Sequence, residues 1–406
     1  MFTLISSLRR VFALATSLTL WACDAPTPTA VPGGVPGSQR TPSARTSDIV
    51  AWNAFARSLI VAAKPNQQEA LRALAYMSLA QHRAVIETAA QIVSTDDPRI
   101  RASQAGAIDA ASAAVLAAMF PTQASAVQDE LQSAAARSAE LGEERVDYDS
   151  GKQVGANIGA KMIAAANADN FTAAWNGTVP TGPGTWFSSI GKPPLLPMLG
   201  EMRPFFMTSG HQFRAAPPPV FNAPAYKIAL AEIRKFSDTR TAEQDSIAKF
   251  WAMATGTLVA GYWNEVASRL VEQYHLDPAR AAHALALMNM AALDANIACH
   301  DTKYTYWVIR PSQADPDITP AIGLPNHPSY PSNHACLSGA AALILADAFP
   351  AQRKEMERQM LEAVESRYYA GLHYRFDGDA GLKIAHQVAS RALDTDRDLR
   401  GLLRIP

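Results

Sequence analysis

Long windows that contain neither glycine nor proline, with apolar residues at helical spacing, limit most strongly what this chain can fold into. Residues 48–63 and 66–93 are two such windows, and their spacing is typical of amphipathic helices. Alanine, the best helix former, is abundant in them. We find no alternating apolar and polar run of any weight that would predict a strand, and no internal repeat. The sequence therefore predicts an all-α fold of packed helices.

Similar helical windows continue along the chain and are interrupted by one long irregular segment. Residues 170–223 are rich in glycine, proline and aromatic residues. A loop of that length in a compact domain is usually functional or packed across a surface. Further helices are predicted at residues 100–120, 122–142, 146–168, 226–235, 242–254, 263–274, 278–309, 335–349, 352–374 and 377–394.

The N-terminus reads as an export signal over residues 1–23. Two arginines precede the apolar run 11–22 and then Cys23, and this run is too short for a permanent membrane span. Residues 20–23, Leu-Trp-Ala-Cys, resemble a bacterial lipoprotein box, in which Cys23 would carry lipid; an ordinary cleaved signal is the alternative. We expect an exported protein, periplasmic or held to the cell envelope as a lipoprotein.

Composition separates the rest of the chain into a linker and one domain. Residues 24–47 hold five prolines and three glycines, which predicts a disordered tether. Residues 48–406 are predicted to form the all-α domain, with no further apolar run of about 18 residues that could cross a membrane. The net charge of −1, without basic blocks, makes nucleic acid an unexpected partner. The sequence leaves open whether the protein is a homo-oligomer.

The first of three polar clusters is Lys303 with Arg310, in the phrase KYTYWVIRP. If both residues lie in one helix that Pro311 ends, two turns bring them to the same face. A guanidinium fork and an ammonium group can then bind one polyanion together. Two solvated surface charges are the ordinary alternative, but the aromatic and apolar neighbours make a poor water-facing helix.

The second cluster is Ser332, Asn333 and His334, in the phrase YPSNHACLSG. A proline-rich loop leads here into an apolar helix, whose free backbone N–H groups would favour an anion. His334 is then placed to give or take a proton at that anion. Simple helix capping, with His334 on the surface, is the alternative.

The third cluster lies in the phrase SRYYAGLHYRFD and comprises Ser366, Arg367, His373 and Asp377. Arg367 can bind the same anion as the first cluster. A carboxylate beside a histidine fixes its tautomer and raises its basicity. Such a histidine can attack phosphorus or ligate a metal oxyanion. Ion pairing on a helix surface explains this cluster alone, but three such clusters together are unexpected by chance.

Together the phrases resemble the signature of the superfamily that joins type 2 phosphatidic acid phosphatases, bacterial acid phosphatases and vanadium-dependent haloperoxidases. That signature reads K-x6-R-P, P-S-G-H and S-R-x5-H-x3-D. This chain departs from it once, with Asn333 in the place of glycine. Because that residue acts through its backbone and asparagine tolerates positive φ better than most residues, we expect the pocket to survive with some loss of room.

The resemblance implies a role for each matching residue. The oxyanion, phosphate or vanadate, would be bound by Lys303, Arg310, Ser332, Asn333 and Arg367. His373 would be the phosphorus nucleophile or the vanadium ligand, with Asp377 orienting it. His334 would be the acid–base residue.

Other features favour the soluble haloperoxidase-like branch of this superfamily, with its two-bundle helical build and its core at about residues 225–400. The phrases RPFFMTSGHQFRAAPPP and QDSIAKFW also resemble that branch, which extends the likeness over roughly residues 180–395. The lipid phosphatases need several membrane spans, and the small acid phosphatases lack the long N-terminal half. His327, seven residues before His334, resembles a histidine of algal bromoperoxidases that could tune bound peroxide; an ordinary loop histidine is the alternative.

Three functions remain open on this sequence. One is a vanadium-dependent haloperoxidase, with vanadate as cofactor and peroxide and halide as substrates. Another is an exported phosphomonoesterase that needs no cofactor and acts through a phosphohistidine. A third is a non-catalytic lipoprotein on the same scaffold, for which Asn333 is the one hint. Cys299 and Cys336 could form a disulfide or remain buried thiols, and the remaining histidines, including His300, receive no role.

Overall fold

The chain folds as an all-α protein, which confirms the prediction of fold class. The computed structural model describes residues 44–90, 98–253 and 256–399. The α-helices of that part of the chain are α1 (Ala44–Ala63), α2 (Gln67–Ala89), α3 (Pro98–Met119), α4 (Ala124–Glu140), α5 (Arg145–Asn167), α6 (Pro224–Thr239), α7 (Ala242–Met253), α8 (Leu258–Gln273), α9 (Pro278–Tyr306), α10 (Pro311–Ala314), α11 (Asn333–Ala348), α12 (Arg353–Tyr369) and α13 (Arg375–Asp398).

Local sequence explains where several of these helices begin. Asn66 caps α2 by accepting hydrogen bonds from two backbone amides, while Glu69 bonds back to the Asn66 amide, which completes a capping box. Asp277 caps α9 and is followed by Pro278 at the first helical position, where proline costs no hydrogen bond. α9 is buried along most of its 29 residues and packs against α2, α11 and α13. It is therefore the central helix of the core.

Several predicted boundaries are wrong, among them the three that follow. The helix predicted at 278–309 ends at Tyr306, because Trp307 takes a left-handed conformation with φ 51°. The helix predicted at 352–374 ends at Tyr369, shortly before Gly371 at φ 73°, where glycine is favoured. The tether was predicted to end at residue 47, but α1 begins at Ala44, and the buried Thr46 hydroxyl donates to the Leu276 carbonyl at 2.7 Å. The predicted signal and residues 24–43 of the tether lie outside the described residues.

One helix of the described chain, over Arg99–Met119, has the length and apolar composition of a membrane span. Of its most apolar window, 67% is buried inside the protein. The helix packs against α2 and α5, with Gly151 and Gly155 of α5 lying directly on its backbone. Those contacts are what a helix in a protein core makes.

The irregular segment before α6 is packed against the core, as its length predicted. Its consecutive amides of Phe205, Phe206 and Met207 donate to the buried carboxylate of Asp294 in α9 at 2.8, 2.7 and 3.3 Å. Trp186 donates its backbone N–H to the Trp307 carbonyl at 2.7 Å. These contacts fix the segment to the middle of α9 and to the residue that follows this helix, close to the first polar cluster.

Candidate oxyanion site

Lys303 and Arg310 lie on two different elements, which corrects the prediction of one shared helix. Lys303 is in the last turn of α9. After Trp307 the chain runs extended, and Val308 pairs with Thr185 in an isolated antiparallel bridge. Arg310 then precedes α10 with φ −80° and ψ 156°, the extended conformation favoured before a proline. The turn still brings both cations to one buried site, where each is 0% exposed.

The Lys303 ammonium group is directed at the loop before α11. It donates to the carbonyls of Pro328 and Ser329 at 2.9 and 2.8 Å, and also to the carbonyl of Pro331. An ammonium group has three donors, so these bonds use all of them. In this structure Lys303 therefore fixes the loop that carries the second polar cluster.

Arg310 connects the loop, His327 and the third cluster. Its Nε donates to the His327 carbonyl at 3.0 Å, and Nη1 donates to the Leu372 carbonyl at 3.0 Å. Nη2 lies 3.1 Å from His327 Nδ1, and Nη1 lies 3.5 Å from His373 Nε2. His327 Nδ1 also lies 3.1 Å from the Pro328 carbonyl, so it faces both a donor, Arg310, and an acceptor. The structure thus places His327 beside the other site residues rather than in a solvent-exposed loop.

His373 lies in the short connection between α12 and α13, with Asp377 in the first turn of α13. His373 Nδ1 is 2.9 Å from Asp377 Oδ2, which also accepts from the Ser329 hydroxyl at 2.6 Å and the Tyr374 amide at 3.1 Å. Because the carboxylate accepts, the His373 proton is held on Nδ1. The lone pair of Nε2 then faces Arg310 and is available to an electrophile.

Ser332 and Asn333 form the N-terminus of α11. Ser332 is the residue before the helix and Asn333 its first member, so the first-turn amides have no partner within the helix. The Ser332 hydroxyl is completely buried and has no hydrogen-bond partner. Gly381 lets α13 approach here, since a methyl group at that position would lie 2.8 Å from the Ser332 carbonyl oxygen.

Asn333 does not need the positive φ that the sequence argument invoked. It is the first residue of a right-handed helix, so its backbone is one that any residue adopts. Asn333 is 8% exposed, and its side chain hydrogen-bonds to Cys299 and His300. The Asn333 side chain therefore takes no room from the oxyanion, because it is bound to α9 instead.

Arg367 and His334 face α7. Arg367 donates to the Ala248 carbonyl at 2.8 Å and to the Ser366 hydroxyl at 2.9 Å. His334 Nε2 lies 2.8 Å from the Trp251 carbonyl and therefore carries the proton, since a carbonyl only accepts. Arg310 is the charged group that acts most on Arg367, and Arg367 is the one that acts most on His334. Arg310, Arg367 and His334 thus lie close enough to interact electrostatically, with α7 covering the latter two.

Three buried cations meet one buried carboxylate in this site. Burial lowers the pKa of Lys303 to about 8, of Arg310 to about 10 and of Arg367 to about 9. Asp377 is the carboxylate that counters Lys303 and Arg310, whereas Arg367 feels mainly the repulsion of Arg310. Buried charges are normally paired. The excess of positive charge, together with the unpartnered Ser332 hydroxyl, fits a polyanion and so fits phosphate or vanadate.

Sequence reasoning missed two residues that the structure adds to this site. Ser329 donates to Asp377 and supplies a carbonyl to Lys303; its position directly before the second phrase was the available signal. His300, three residues before Lys303, is 0% exposed and contacts Asn333, although sequence reasoning assigned it no role. Cys299 and Cys336 are both free and buried, so the disulfide alternative is not formed here.

Two surface clefts lie outside this site. One, of about 560 Å³, runs along α7 and is lined by Ala242, Asp245, Ser246, Lys249, Phe250 and Met253. The other, of about 420 Å³, lies mainly between α3 and α5. Neither is lined by a residue of the three polar clusters. We therefore base the site on side-chain geometry and charge rather than on open volume.

Comparison with known proteins identifies the fold. No protein-family model matches this sequence, and no curated protein matches it. Among solved structures, a bacterial vanadium-dependent iodoperoxidase superposes with a TM-score of 0.71 at 20% identity, over 86% of this chain and 96% of that one. Bacterial vanadium-dependent chloroperoxidases are similar in the apo form (TM-score 0.64, 14% identity, 82% and 93% of the two chains) and the holo form (0.63, 14%, 88% and 94%).

The chain therefore has the fold of the vanadium-dependent haloperoxidases. This confirms the predicted helical architecture. The likeness extends over nearly the whole of each solved chain.

Proposed function

We propose that this protein is a vanadium-dependent haloperoxidase-like enzyme that holds vanadate among the three polar clusters. The observation that carries the proposal is an excess of buried positive charge beside His373, since Asp377 counters both Lys303 and Arg310, and Arg367 donates only to neutral oxygens. The structural similarity to vanadium-dependent iodo- and chloroperoxidases supports vanadate as the oxyanion. Vanadate, when bound, supplies the Lewis acid that activates hydrogen peroxide for oxidation of halide.

The residues of the chain would hold this anion from several sides. Arg310 and Arg367 offer charge-assisted donors, and Ser332 offers its unpartnered hydroxyl. The first-turn amides of α11 add the partial positive charge of a helix N-terminus. His373 would bind through Nε2 because Asp377 keeps the proton on Nδ1. The carboxylate also stabilises the positive charge that develops on the imidazole when Nε2 forms a bond.

His334 and His327 are the groups that could move protons there. Burial and the charge of Arg367 lower the pKa of His334 well below its usual value, so a neutral imidazole can take a proton from peroxide and return it to the product. His327 is held beside Arg310 and the Pro328 carbonyl through Nδ1, and its Nε2 is the ring nitrogen free to exchange a proton with the bound anion. Overall, peroxide, halide and one proton give hypohalous acid and water.

The same geometry supports phosphate ester hydrolysis as a second candidate. A histidine whose Nδ1 proton is fixed by a carboxylate presents Nε2 as a nucleophile. A bond from Nε2 to phosphorus would form while the ester P–O bond breaks, and the alcohol would leave with a proton from an acid in the site. Water would then cleave the phosphohistidine. Phosphate and vanadate have the same shape and similar charge, so the residues present fit either reaction.

One pair of assays distinguishes these functions. The purified protein is loaded with orthovanadate, freed of excess, and assayed for peroxide-dependent bromination; unloaded protein is assayed on p-nitrophenyl phosphate. His373→Ala is the control in both assays. Bromination that requires vanadate and His373 supports the haloperoxidase. Phosphate release that requires His373 and is inhibited by vanadate, without bromination, would make the protein a phosphatase.

The non-catalytic alternative is tested by thermal unfolding. A ligand that binds only the folded state raises the midpoint by mass action, by about 2.7 kcal/mol at a concentration one hundred times its dissociation constant. We expect orthovanadate to raise the melting temperature of the wild type. No shift in the melting temperature, together with no activity in either assay, would support the non-catalytic alternative.

We also propose that Cys23 is lipidated and anchors the protein to the cell envelope. The apolar run 11–22 followed by Leu-Trp-Ala-Cys supports this proposal. Replacing Cys23 by serine is expected to move the protein from the membrane fraction to the soluble fraction. Membrane association that survives Cys23→Ser would favour a different mode of attachment.

A further inference from the structure

The side chain of Asn333 is bound inside the protein, away from the solvent. Its Oδ1 accepts from the Cys299 thiol at 2.9 Å, and its Nδ2 lies 3.1 Å from His300 Nε2. Both partners lie on α9, and both are 0% exposed. The amide at the first position of α11 is therefore tied to the central helix through both of its polar atoms.

The hydrogen bonds of His300 define which of its nitrogens carries the proton. Nδ1 lies 3.2 Å from the Leu196 carbonyl, which can only accept, so the proton is on Nδ1. Nε2 is then the acceptor for Asn333 and also for Gln68 Nε2 at 3.1 Å. Burial keeps the imidazole neutral, since it lowers the His300 pKa to about 3.

His300 therefore joins three separate parts of the fold at one point. Gln68 is in the first turn of α2, Leu196 is in the irregular segment, and Asn333 starts α11. The His300 ring also lies 5.8 Å from the His327 ring, centroid to centroid. A shift of His300 would act on both the helix N-terminus and the histidine beside Arg310.

We propose that His300 and Asn333 form a positioning pair that fixes the first turn of α11, and with it the backbone amides that receive the oxyanion. The pair touches no reacting atom and acts through the helix N-terminus. This inference rests on the proposed oxyanion site. It makes asparagine a working part of the pocket where glycine is usual, rather than a tolerated departure.

A double-mutant cycle on anion affinity tests the pair. Asn333→Ala, His300→Ala and the double variant are titrated with orthovanadate and with inorganic phosphate by isothermal titration calorimetry. We expect each single variant to bind about tenfold more weakly, and the double variant to bind no more weakly than the worse single, because residues in contact are non-additive. Independent tenfold losses that multiply would overturn the inference.

Two further variants separate positioning from general destabilisation. His300→Gln keeps an acceptor for Asn333, so we expect it to restore affinity to within about threefold of the wild type. Gln81→Ala removes a buried polar side chain of α2 that bonds to Ser112 at 3.0 Å, outside the site. It should lower the melting temperature without changing affinity. Equal losses in Gln81→Ala and His300→Ala would overturn the pair, and His300→Gln keeps the test available if an alanine variant fails to fold.

Asn333→Gly introduces the residue that is usual at this position of the signature, and it tests directly whether asparagine contributes to anion binding. If glycine were simply the better residue, this variant would bind orthovanadate as tightly as the wild type or more tightly, and that result would overturn the inference. We expect instead that the variant binds orthovanadate about tenfold more weakly or worse, because glycine also increases the backbone freedom of the first turn of α11. A wild type that binds neither anion would overturn the proposed oxyanion site and this inference together, whereas wild-type binding unchanged by these variants would overturn the inference alone.

Discussion

Asp377 accepts three hydrogen bonds through one oxygen. An asparagine at this position would remove the negative charge and keep an oxygen acceptor. In Asp377→Asn the amide oxygen can replace Oδ2, but the group is neutral and its NH₂ would be buried at the position of Oδ1, which has no partner. The positive charge that develops on His373 then lacks its counter-charge. We expect kcat to fall by about a hundredfold. Steady-state assays of the vanadate-loaded enzyme check this.

A neighbouring carboxylate provides the control for that substitution. Asp379 is exposed on the same helix, two residues further on. Asp379→Asn should leave kcat within about twofold of the wild type. Equal losses in the two variants would show that the charge of the helix start, and not the bond to His373, is responsible.

Arg367 is a residue whose charge costs stability in the absence of an anion. It is 2% exposed, donates to two neutral oxygens, and lies near Arg310. Replacing an unpaired buried charge by an apolar side chain of similar size is often stabilising. We expect Arg367→Met to raise the free energy of unfolding by about 1–2 kcal/mol and to abolish the stabilisation by orthovanadate. Thermal unfolding with and without the anion measures both, and a lower melting temperature without anion would contradict the argument.

The three phrases predicted contacts that the structure contains, between Arg310 and His373 and between His373 and Asp377. What the sequence could not show is what else each one touches. Lys303 bonds to three loop carbonyls and His300 bonds to Asn333, and these contacts depend on how α9 packs against a distant loop. A histidine outside the signature carries no local pattern that marks it as buried.

At the scale of elements, helix existence was predictable and helix ends were not. Residues 307–309 are apolar and fit the period of α9, so periodicity extended the helix past Tyr306. Pro311 was a signal for an earlier end, since the residue before a proline avoids the helical region. Gly371 was a similar signal for the end of α12. Both ends matter, because Arg310 and His373 lie in the short connections that follow them.

The attachment of the irregular segment to α9 is an element-scale contact that can be tested. Asp294→Ala would leave the amides of Phe205, Phe206 and Met207 without their acceptor. Because a buried unsatisfied donor costs about 1–3 kcal/mol, we expect a loss of about 3 kcal/mol or more in urea unfolding. Hydrogen exchange should accelerate most at residues 205–207. Uniform acceleration over the whole chain would mean that the contact stabilises the fold without fixing this segment in particular.

At the scale of the whole molecule, the site concentrates neutral histidines as well as cations. Burial, with the nearby charges of Lys303 and Arg310, lowers the pKa of His327 and His373 well below the usual value, and burial lowers that of His300 to about 3. An unfolded histidine has a pKa near 6.5. Below that pH these histidines, together with His334, bind protons in the unfolded chain that they lack in the folded protein. Burial acts in the opposite direction on Asp294 and Asp377, since it raises the pKa of each to about 7, and these two carboxyl groups hold protons in the folded protein that the unfolded chain has released.

This difference predicts that the protein loses stability steeply in mild acid. Stability rises with pH wherever the unfolded state binds more protons, so it must fall as the pH drops below about 6.5. Each group contributes about 1.4 kcal/mol per pH unit, and the four histidines exceed the two carboxyl groups by two protons, so the net slope is ~3 kcal/mol per unit. Urea unfolding between about pH 7 and pH 5 measures the slope. In His300→Gln we expect stability to change less steeply with pH, by one histidine's contribution, because glutamine does not titrate. If the wild type and His300→Gln instead have the same slope, His300 is protonated as readily in the folded protein as in the unfolded chain.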